Sequence, residues 1–263
     1  MRKHVSQKEG GVLPDRTELE WAYTPTDFFE TAYSCSSGDF ELAFAGGTAT
    51  ATLCVPQDPV PPRIERRAHD HIVAVLGVRQ LQIHKPYTLQ RNPSIHQYRG
   101  DEIGVTVRVA TSRLVISCTP PDLVVRDADG IVTGDTKAER TARDRALLDA
   151  VAPVIADSPV ALSLLSSYAA AVSDPANELV HLYEVRDALA AHFGSEPRAR
   201  AALAIPKKEW QRLGMLADRE PLSEGRHRGR HTGMLRGATL EELSQARSIV
   251  MRWIIAFAKL PSG

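Results

Sequence analysis

The stretch "IVTGDTKAERTARDRALLDAVAPVIA", residues 131–156, marks the change from strand-forming to helix-forming sequence. Before it, "DADG" at residues 127–130 supplies the Asp-Gly pair that favours the tip of a β-hairpin. From Asp135 onward the residues follow a helical pattern. We therefore predict that strands dominate the chain before residue 135 and that helices dominate it afterwards, which is an α+β fold.

Residues 1–135 are expected to form a small β-rich α+β domain. Short strand-forming runs alternate there with turn signals: "ELEWAY", "FELAF", "TATATLCV", "IGVTVRVA", "RLVISC" and "DLVVRD". One helix is predicted from about Arg63 to His84, because apolar residues recur near helical spacing after the proline-rich "PQDPVPP". No residue of this domain indicates a function, so a protein partner for it is left open.

Residues 136–263 are expected to form an all-α helical bundle. Helix starts are predicted at Ser158-Pro159 and at Asp174-Pro175, and a capping box is predicted between Thr239 and Glu242. The last helix then carries an apolar stripe with spacings of three and four residues, formed by Leu243, Ala246, Val250, Trp253, Phe257 and Leu260. This stripe is a candidate surface for a homodimer.

Composition sets the broad class of the protein. The 263 residues include 32 Lys or Arg and 32 Asp or Glu, so no global charge attracts the chain to nucleic acid or to a membrane. Its cysteines, Cys35, Cys54 and Cys118, are odd in number and far apart, which favours free thiols in a reducing compartment. With no apolar run of signal-peptide or membrane-span type, we expect a cytoplasmic protein of prokaryotic style.

Positive charge is concentrated locally, around the basic segment "EGRHRGRHTG", residues 224–233. Between Arg198 and Arg236 there are ten Lys or Arg and four Asp or Glu, a net charge of +6. A neutral protein with such a stretch fits localised contact with phosphate, although arginine-rich runs are most often solvated faces.

The basic segment contains one of four Arg-x4-His pairs in the chain, which are Arg66/His71, Arg79/His84, Arg91/His96 and Arg226/His231. The first two lie on the single helix predicted for the β-rich domain. The third contains Asn-Pro, which opposes a helix start. Only Arg226 and His231 lie in a multi-helix region, just before a capped last helix, so we take this pair as the candidate site.

With its surrounding helices, over about residues 140–260, this motif resembles the HEPN (higher eukaryotes and prokaryotes nucleotide-binding) superfamily. Many members are helical bundles that cleave RNA without a metal through Arg-x4–6-His. The resemblance implies a proton-transfer role for His231, a phosphate-binding role for Arg226, and a cleft often completed by a second copy of the chain. It also implies RNA as substrate, a homodimer, and a role in toxin action or antiphage defence.

The proposed roles suit the side chains. RNA carries its own nucleophile in the 2′-hydroxyl, histidine titrates near neutral pH, and arginine can bind two phosphate oxygens and stabilise charge in the transition state. No metal and no cofactor are expected. Glu184 and Asp187, on a preceding helix, are surface carboxylates that could support the site electrostatically. Further contacts with RNA are expected from four neighbours: His227, Arg228, Arg230 and Arg236.

Two other interpretations stay open. The bundle can be a non-catalytic module whose arginines bind nucleic acid, a nucleotide or an acidic partner, or it can be structural, with a solvated basic loop. Other enzyme classes lack support, because the chain has no phosphate-binding glycine loop, no dinucleotide fingerprint and no Gly-x-Ser-x-Gly nucleophile motif.

Overall fold

The computed structural model of the chain describes residues 15–99, 102–106, 122–126, 131–226, 228–230 and 233–260. These residues form two compact units. The first takes in the described parts of residues 1–68 and 89–114, and the second takes in those of residues 69–88 and 115–263. Strands dominate the first unit and helices dominate the second, which confirms the α+β fold class.

Seven strands form one sheet, and their bounds are β1 (Arg16–Thr24), β2 (Tyr33–Ser36), β3 (Phe40–Ala45), β4 (Thr48–Leu53), β5 (Thr88–Leu89), β6 (Ser94–Arg99) and β7 (Glu102–Thr106). Their order is β2-β3-β4-β1-β6-β7, with antiparallel neighbours throughout, and β5 also pairs with β1. The sheet therefore consists of the meander β2-β3-β4 and the hairpin β6-β7, with β1 between them.

Alternating burial in β1, β3 and β4 shows that this part of the sheet has one packed face. In β3, Phe40, Leu42 and Phe44 are buried, and the residues between them are exposed. Gly46 and Gly47 connect β3 to β4 with φ angles of +56° and +87°, which suit a tight hairpin turn and favour glycine. The alternation in "FELAF" therefore predicts this strand correctly.

The helices are α1 (Pro62–Ile83), α2 (Thr136–Ala156), α3 (Pro159–Ser173), α4 (Glu178–His192), α5 (Glu196–Ala202), α6 (Lys207–Gly214) and α7 (Leu240–Ala258). Short 3₁₀ turns occur at Pro175–Asn177 and Arg228–Arg230, and a π-helical turn, Met215–Arg219, follows α6. A hairpin of β8 (Val124–Arg126) and β9 (Val132–Asp135) precedes α2. Its predicted tip, residues 127–130, lies outside the described residues.

Helix starts were largely predictable from capping residues. The Ser158 side chain accepts a hydrogen bond from the Ala161 amide at 3.2 Å, and Thr239 and Glu242 form the predicted capping box. The prediction at Asp174 was wrong in detail, because a 3₁₀ turn follows it and α4 begins only at Glu178. There the Asp174 carboxylate accepts from a side-chain amide instead of a helix N–H.

Helix α1 belongs to the helical unit from His69 onward, whereas the sequence placed all of it in the N-terminal domain. Gly77 packs so closely on α3 that a Cβ would lie 2.6 Å from Cδ1 of Leu165. Arg79 forms an ion pair with Asp144 of α2. An apolar helical stripe does not say whether a sheet or other helices will cover it, so the sequence could not reveal this packing.

The apolar stripe of α7 packs inside the helical unit. Ala246, Val250 and Trp253 are buried, and the Trp253 ring stacks on Trp210 with a centroid distance of 4.8 Å. The indole N–H of Trp253 donates to Glu209 at 2.9 Å. The core of the unit therefore uses the central residues of the stripe, while Leu243, Phe257 and Leu260 are partly exposed, and a homodimer stays a prediction.

Two further expectations concern the cysteines and the membrane. Cys35 and Cys54 are not joined in a disulfide, and Cys118 lies outside the described residues. Within the described ranges, no single helix is both long and apolar enough to cross a membrane. Helices α2 and α3 reach that length and apolar composition only when taken together, and they are bent by 118° at their junction.

Candidate functional site

The basic segment starts from a fixed point on the helical unit. The Arg226 amide donates to the carbonyl oxygen of Ala217 at 2.7 Å, which ties the segment to the π-helical turn after α6. At the base of the loop, the Ser223 amide donates to the Arg236 carbonyl oxygen at 2.9 Å, and the Arg236 amide donates to that of Pro221 at 3.0 Å. Backbone hydrogen bonds therefore close the base of the loop.

Arg236 contributes to holding this loop. Its guanidinium donates to both carboxylate oxygens of Glu242, at 2.7 and 2.8 Å, and to Glu220 at 3.0 Å. The hydrogen bonds from Arg236 and from the Thr239 amide lower the pKa of Glu242 to about 2. The structure thus gives Arg236 a structural role at the start of α7, and its contact with RNA stays a prediction.

Arg228 docks the other side of the loop onto the turn before α4. Its Nε donates to the Gly225 carbonyl oxygen at 3.1 Å, and its Nη2 donates to the Ala176 carbonyl oxygen at 2.9 Å and to the Asn177 side chain. Three acceptors of the protein therefore bind this guanidinium. Contact between Arg228 and RNA likewise stays a prediction.

Arg226 lies on the exposed surface of α4. Its Nη1 donates to Oδ2 of Asp187 at 2.9 Å, and its Cζ lies 4.4 Å from the centre of the Tyr183 ring, within the range of a cation–π contact. Tyr183 and Asp187 are four residues apart and so share one face of the helix. The Arg226 side chain remains 35% exposed, so it is fixed in position and accessible.

The Tyr183 ring connects this surface to the buried core. Arg186 lies 4.8 Å from the Tyr183 ring centre and 5.2 Å from that of Trp210, and its Nη1 donates to the Tyr183 hydroxyl at 2.5 Å. Trp210 is itself buried and stacked on Trp253. Arg226 is thus the exposed end of a continuous series of four side chains, Arg226, Tyr183, Arg186 and Trp210, which we call the Arg–aromatic stack.

Parts of the predicted site lie outside the described residues. His227 and His231 are both outside them, and for Arg230 the backbone is described but the side chain is not. Of the predicted Arg226–His231 pair, the structure describes the arginine. Of the two supporting carboxylates, Asp187 contacts Arg226, whereas Glu184 lies 3.5 Å from Nδ1 of His181.

The helical unit contains a second Arg-x4-His pair, Arg79 and His84, and these two side chains contact different residues. Arg79 is buried and bound to Asp144, while His84 follows the end of α1 and contacts Tyr168 and Glu178. The sequence interpretation set this pair aside because α1 was assigned to the β-rich domain. That reason does not hold, because residues 69–88 belong to the helical unit.

A buried polar cluster lies at the start of α4, and sequence reasoning missed it. Glu178 is 1% exposed and accepts hydrogen bonds from Nε and Nη2 of Arg247 at 2.5 and 2.7 Å. Nε2 of His84 is 3.7 Å from Oε1 of Glu178, and Nδ1 of His84 is 3.0 Å from the Tyr168 hydroxyl. The cluster joins α1, α3, α4 and α7, and it adjoins Asn177, to which Arg228 is bound.

Protonation of His84 should make the stability of the protein depend on pH. Burial, followed by the charge of Arg247, lowers the pKa of His84 below its ordinary value of about 6.5. The folded protein then binds this proton less readily than the unfolded chain does. We therefore expect the free energy of unfolding to fall as the pH drops below about 6.5, by at most ~1.4 kcal/mol per pH unit, and to be insensitive to His84 above it.

Urea unfolding at a series of pH values between 5 and 8 measures this effect. His84→Gln should flatten the dependence relative to the wild type. Identical slopes for the wild type and His84→Gln would show that His84 does not contribute to it.

A groove of about 730 Å³ runs between α6 and α7, and it is lined by Pro206, Lys208, Glu209, Gln211, Arg212, Met215, Gln245, Ser248, Ile249 and Arg252. Its arginines have carboxylate partners, with Arg252 bound to Glu209 at 3.1 Å and Arg212 bound to Glu220 at 2.9 Å. Arg226 does not line it. Among the described residues, no group of three His, Cys, Asp or Glu is arranged to hold a metal ion.

Comparison with family models, with curated proteins and with solved structures finds no match to this chain. The resemblance to HEPN domains therefore rests on the Arg226–His231 motif and on the helical region around it, and it stays a prediction.

Proposed function

We propose that the helical unit cleaves RNA without a metal, with Arg226 and His231 as the catalytic residues. The observation that supports this proposal best is the placement of Arg226. Among the predicted site arginines whose side chains are described, it has a single protein acceptor, Asp187, whereas Arg228 and Arg236 each have three or more, and its side chain is 35% exposed. A fixed, exposed guanidinium is suited to bind a phosphate group.

The chemistry follows from the two side chains. The ribose 2′-oxygen attacks the phosphorus, His231 assists the proton transfers, and the bond from phosphorus to the 5′-oxygen breaks to leave a cyclic phosphate and a 5′-hydroxyl. Arg226 donates hydrogen bonds to the phosphate oxygens, on which negative charge grows in the transition state. The nucleophile belongs to the substrate, so the reaction proceeds in the presence of a chelator.

Cleavage of end-labelled RNA in EDTA tests the proposal. We expect the wild type to cleave, and Arg226→Ala and His231→Ala each to lower kcat by about 100-fold or more, as the loss of one transition-state donor does. Arg143→Ala is the matched control, because Arg143 is an exposed arginine on α2 and alanine suits a helix. Its rate should equal that of the wild type.

The same experiment separates the main alternative, a non-catalytic module that binds nucleic acid or a nucleotide. The exposed Arg226 suits that role as well, since binding alone does not need a proton-transfer group. Salt-sensitive RNA binding that survives His231→Ala and weakens in Arg226→Ala, without cleavage by the wild type, would replace the proposed activity with binding.

A further inference from the structure

Helix α4 holds the Arg226 guanidinium from two directions. The Tyr183 ring lies against it, with 4.4 Å between Cζ and the ring centre, and the Asp187 carboxylate binds Nη1 at 2.9 Å. A single contact would leave the long side chain free to rotate about its remaining bonds. A ring contact and a hydrogen bond on different parts of the side chain together restrict the guanidinium more than either would alone.

The contact with Asp187 also determines which edge of Arg226 can meet a ligand. Asp187 is the one hydrogen-bond acceptor that the described residues give to this guanidinium, and it occupies Nη1. Nε and Nη2 form the other edge, whose two parallel N–H groups match two oxygens of a phosphate. The observed geometry therefore leaves the edge suited to bidentate phosphate binding.

Tyr183 is in turn supported by the rest of the Arg–aromatic stack. Arg186 lies over the Tyr183 ring, with 4.8 Å between Cζ and the ring centre, donates to its hydroxyl, and also lies over Trp210, which is buried. Gly214 leaves room for Arg186, because a Cβ at that position would lie 2.9 Å from Nη1 of Arg186. The ring under Arg226 is thus anchored to the packed core and not to another surface side chain.

We infer that Tyr183 and Asp187 are positioning residues of the RNA-cleaving site, and that they orient the Nε–Nη2 edge of Arg226 toward the scissile phosphate. This inference rests on the proposed function. Both residues act through Arg226 and do not touch the reacting atoms. The aromatic ring of Tyr183 and the acceptor oxygen of Asp187 are the features that matter, whereas the Tyr183 hydroxyl and the full charge of Asp187 matter less.

Matched pairs of variants test the inference in the EDTA cleavage assay. We expect Tyr183→Leu and Asp187→Ala to lower kcat by about 10- to 100-fold, the cost of a misplaced catalytic group, with smaller changes in KM. Tyr183→Phe keeps the ring and Asp187→Asn keeps an acceptor oxygen, so each should stay within about threefold of the wild type. Asp187 is 55% exposed, so its variants should fold even if Tyr183→Leu does not.

A double variant shows whether these residues act through Arg226. Adding Tyr183→Leu or Asp187→Ala to Arg226→Ala should cause no further loss of residual cleavage, because the group that they orient is already gone. If Tyr183 and Asp187 had a purely structural role, their replacement would lower the rate both in the wild type and in Arg226→Ala. Additive losses, or equal rates for Asp187→Ala and Asp187→Asn together with equal rates for Tyr183→Leu and Tyr183→Phe, would overturn the inference.

NMR of the arginine Nε–H groups gives a readout that does not depend on activity. Arg226→Ala assigns the signal, and the ring current of Tyr183 should shift it in the wild type and in Tyr183→Phe but not in Tyr183→Leu. Cleavage by the wild type with no such shift overturns the positioning role alone. A Tyr183-dependent shift without any cleavage by the wild type overturns the proposed function, and the positioning role in cleavage fails with it.

Discussion

Replacing Arg247 with methionine should lower the free energy of unfolding by about 3–5 kcal/mol, because it leaves a buried carboxylate without its counter-charge. Glu178 is 1% exposed, and both of its carboxylate oxygens accept hydrogen bonds from Arg247. Methionine is also a long, unbranched and flexible side chain, so the substitution mainly removes the charge and the two hydrogen bonds. Urea unfolding at pH 7, followed by circular dichroism, gives the free energy by linear extrapolation.

Replacing the partner residue, Glu178, should lower the free energy of unfolding by less. Glu178→Gln leaves Arg247 without its carboxylate, but the Arg247 side chain is 28% exposed and its charge can be solvated. The double variant Glu178→Gln/Arg247→Met should recover part of the free energy of unfolding that Arg247→Met loses, since no unpaired charge is then buried. An Arg247→Met variant within about 1 kcal/mol of the wild type, as expected for a surface ion pair, would contradict this account of the cluster.

The fold could be predicted from the sequence where the signal is local. The alternation in "FELAF" and the caps at Ser158 and Thr239 involve neighbours within a few residues, and each is present as predicted. The partner of α1 was not predictable, because a helix with an apolar stripe can pack on a sheet or on other helices. Contacts such as Gly77 with Leu165 depend on chain segments far apart in sequence.

For the candidate site, the sequence identified the segment that carries the proposed residues but not the contacts that they make. The Arg226 motif was selected because it precedes a capped helix in a helical region, and Asp187 was noted as a nearby carboxylate. The ring of Tyr183 gave no signal, since an aromatic residue on a bundle helix usually packs in the core. Arg228 and Arg236 could not be distinguished from Arg226, because their acceptors come from other helices or from backbone carbonyl groups.

Replacing Trp253 with alanine should also lower the free energy of unfolding by about 3–5 kcal/mol. Trp253 is 1% exposed, and the change removes its stack on Trp210, its hydrogen bond to Glu209 and the volume of the ring. Trp253→Phe keeps an aromatic ring at the same position and should cost less, although it leaves Glu209 without the indole donor. Circular dichroism is the appropriate measurement, because tryptophan fluorescence changes with the substitution itself.

Under conditions in which Trp253→Ala is still folded, its effect on RNA cleavage should be small. Trp253 contacts the inner end of the Arg–aromatic stack, while Tyr183 is held by Arg186, which is itself bound to Glu196 at 3.4 Å. We therefore expect kcat per folded molecule to stay within about threefold of the wild type, against the loss of about 10-fold or more expected for Tyr183→Leu. A larger loss in the folded variant would mean that core packing, rather than α4 and Arg186, sets the position of Arg226.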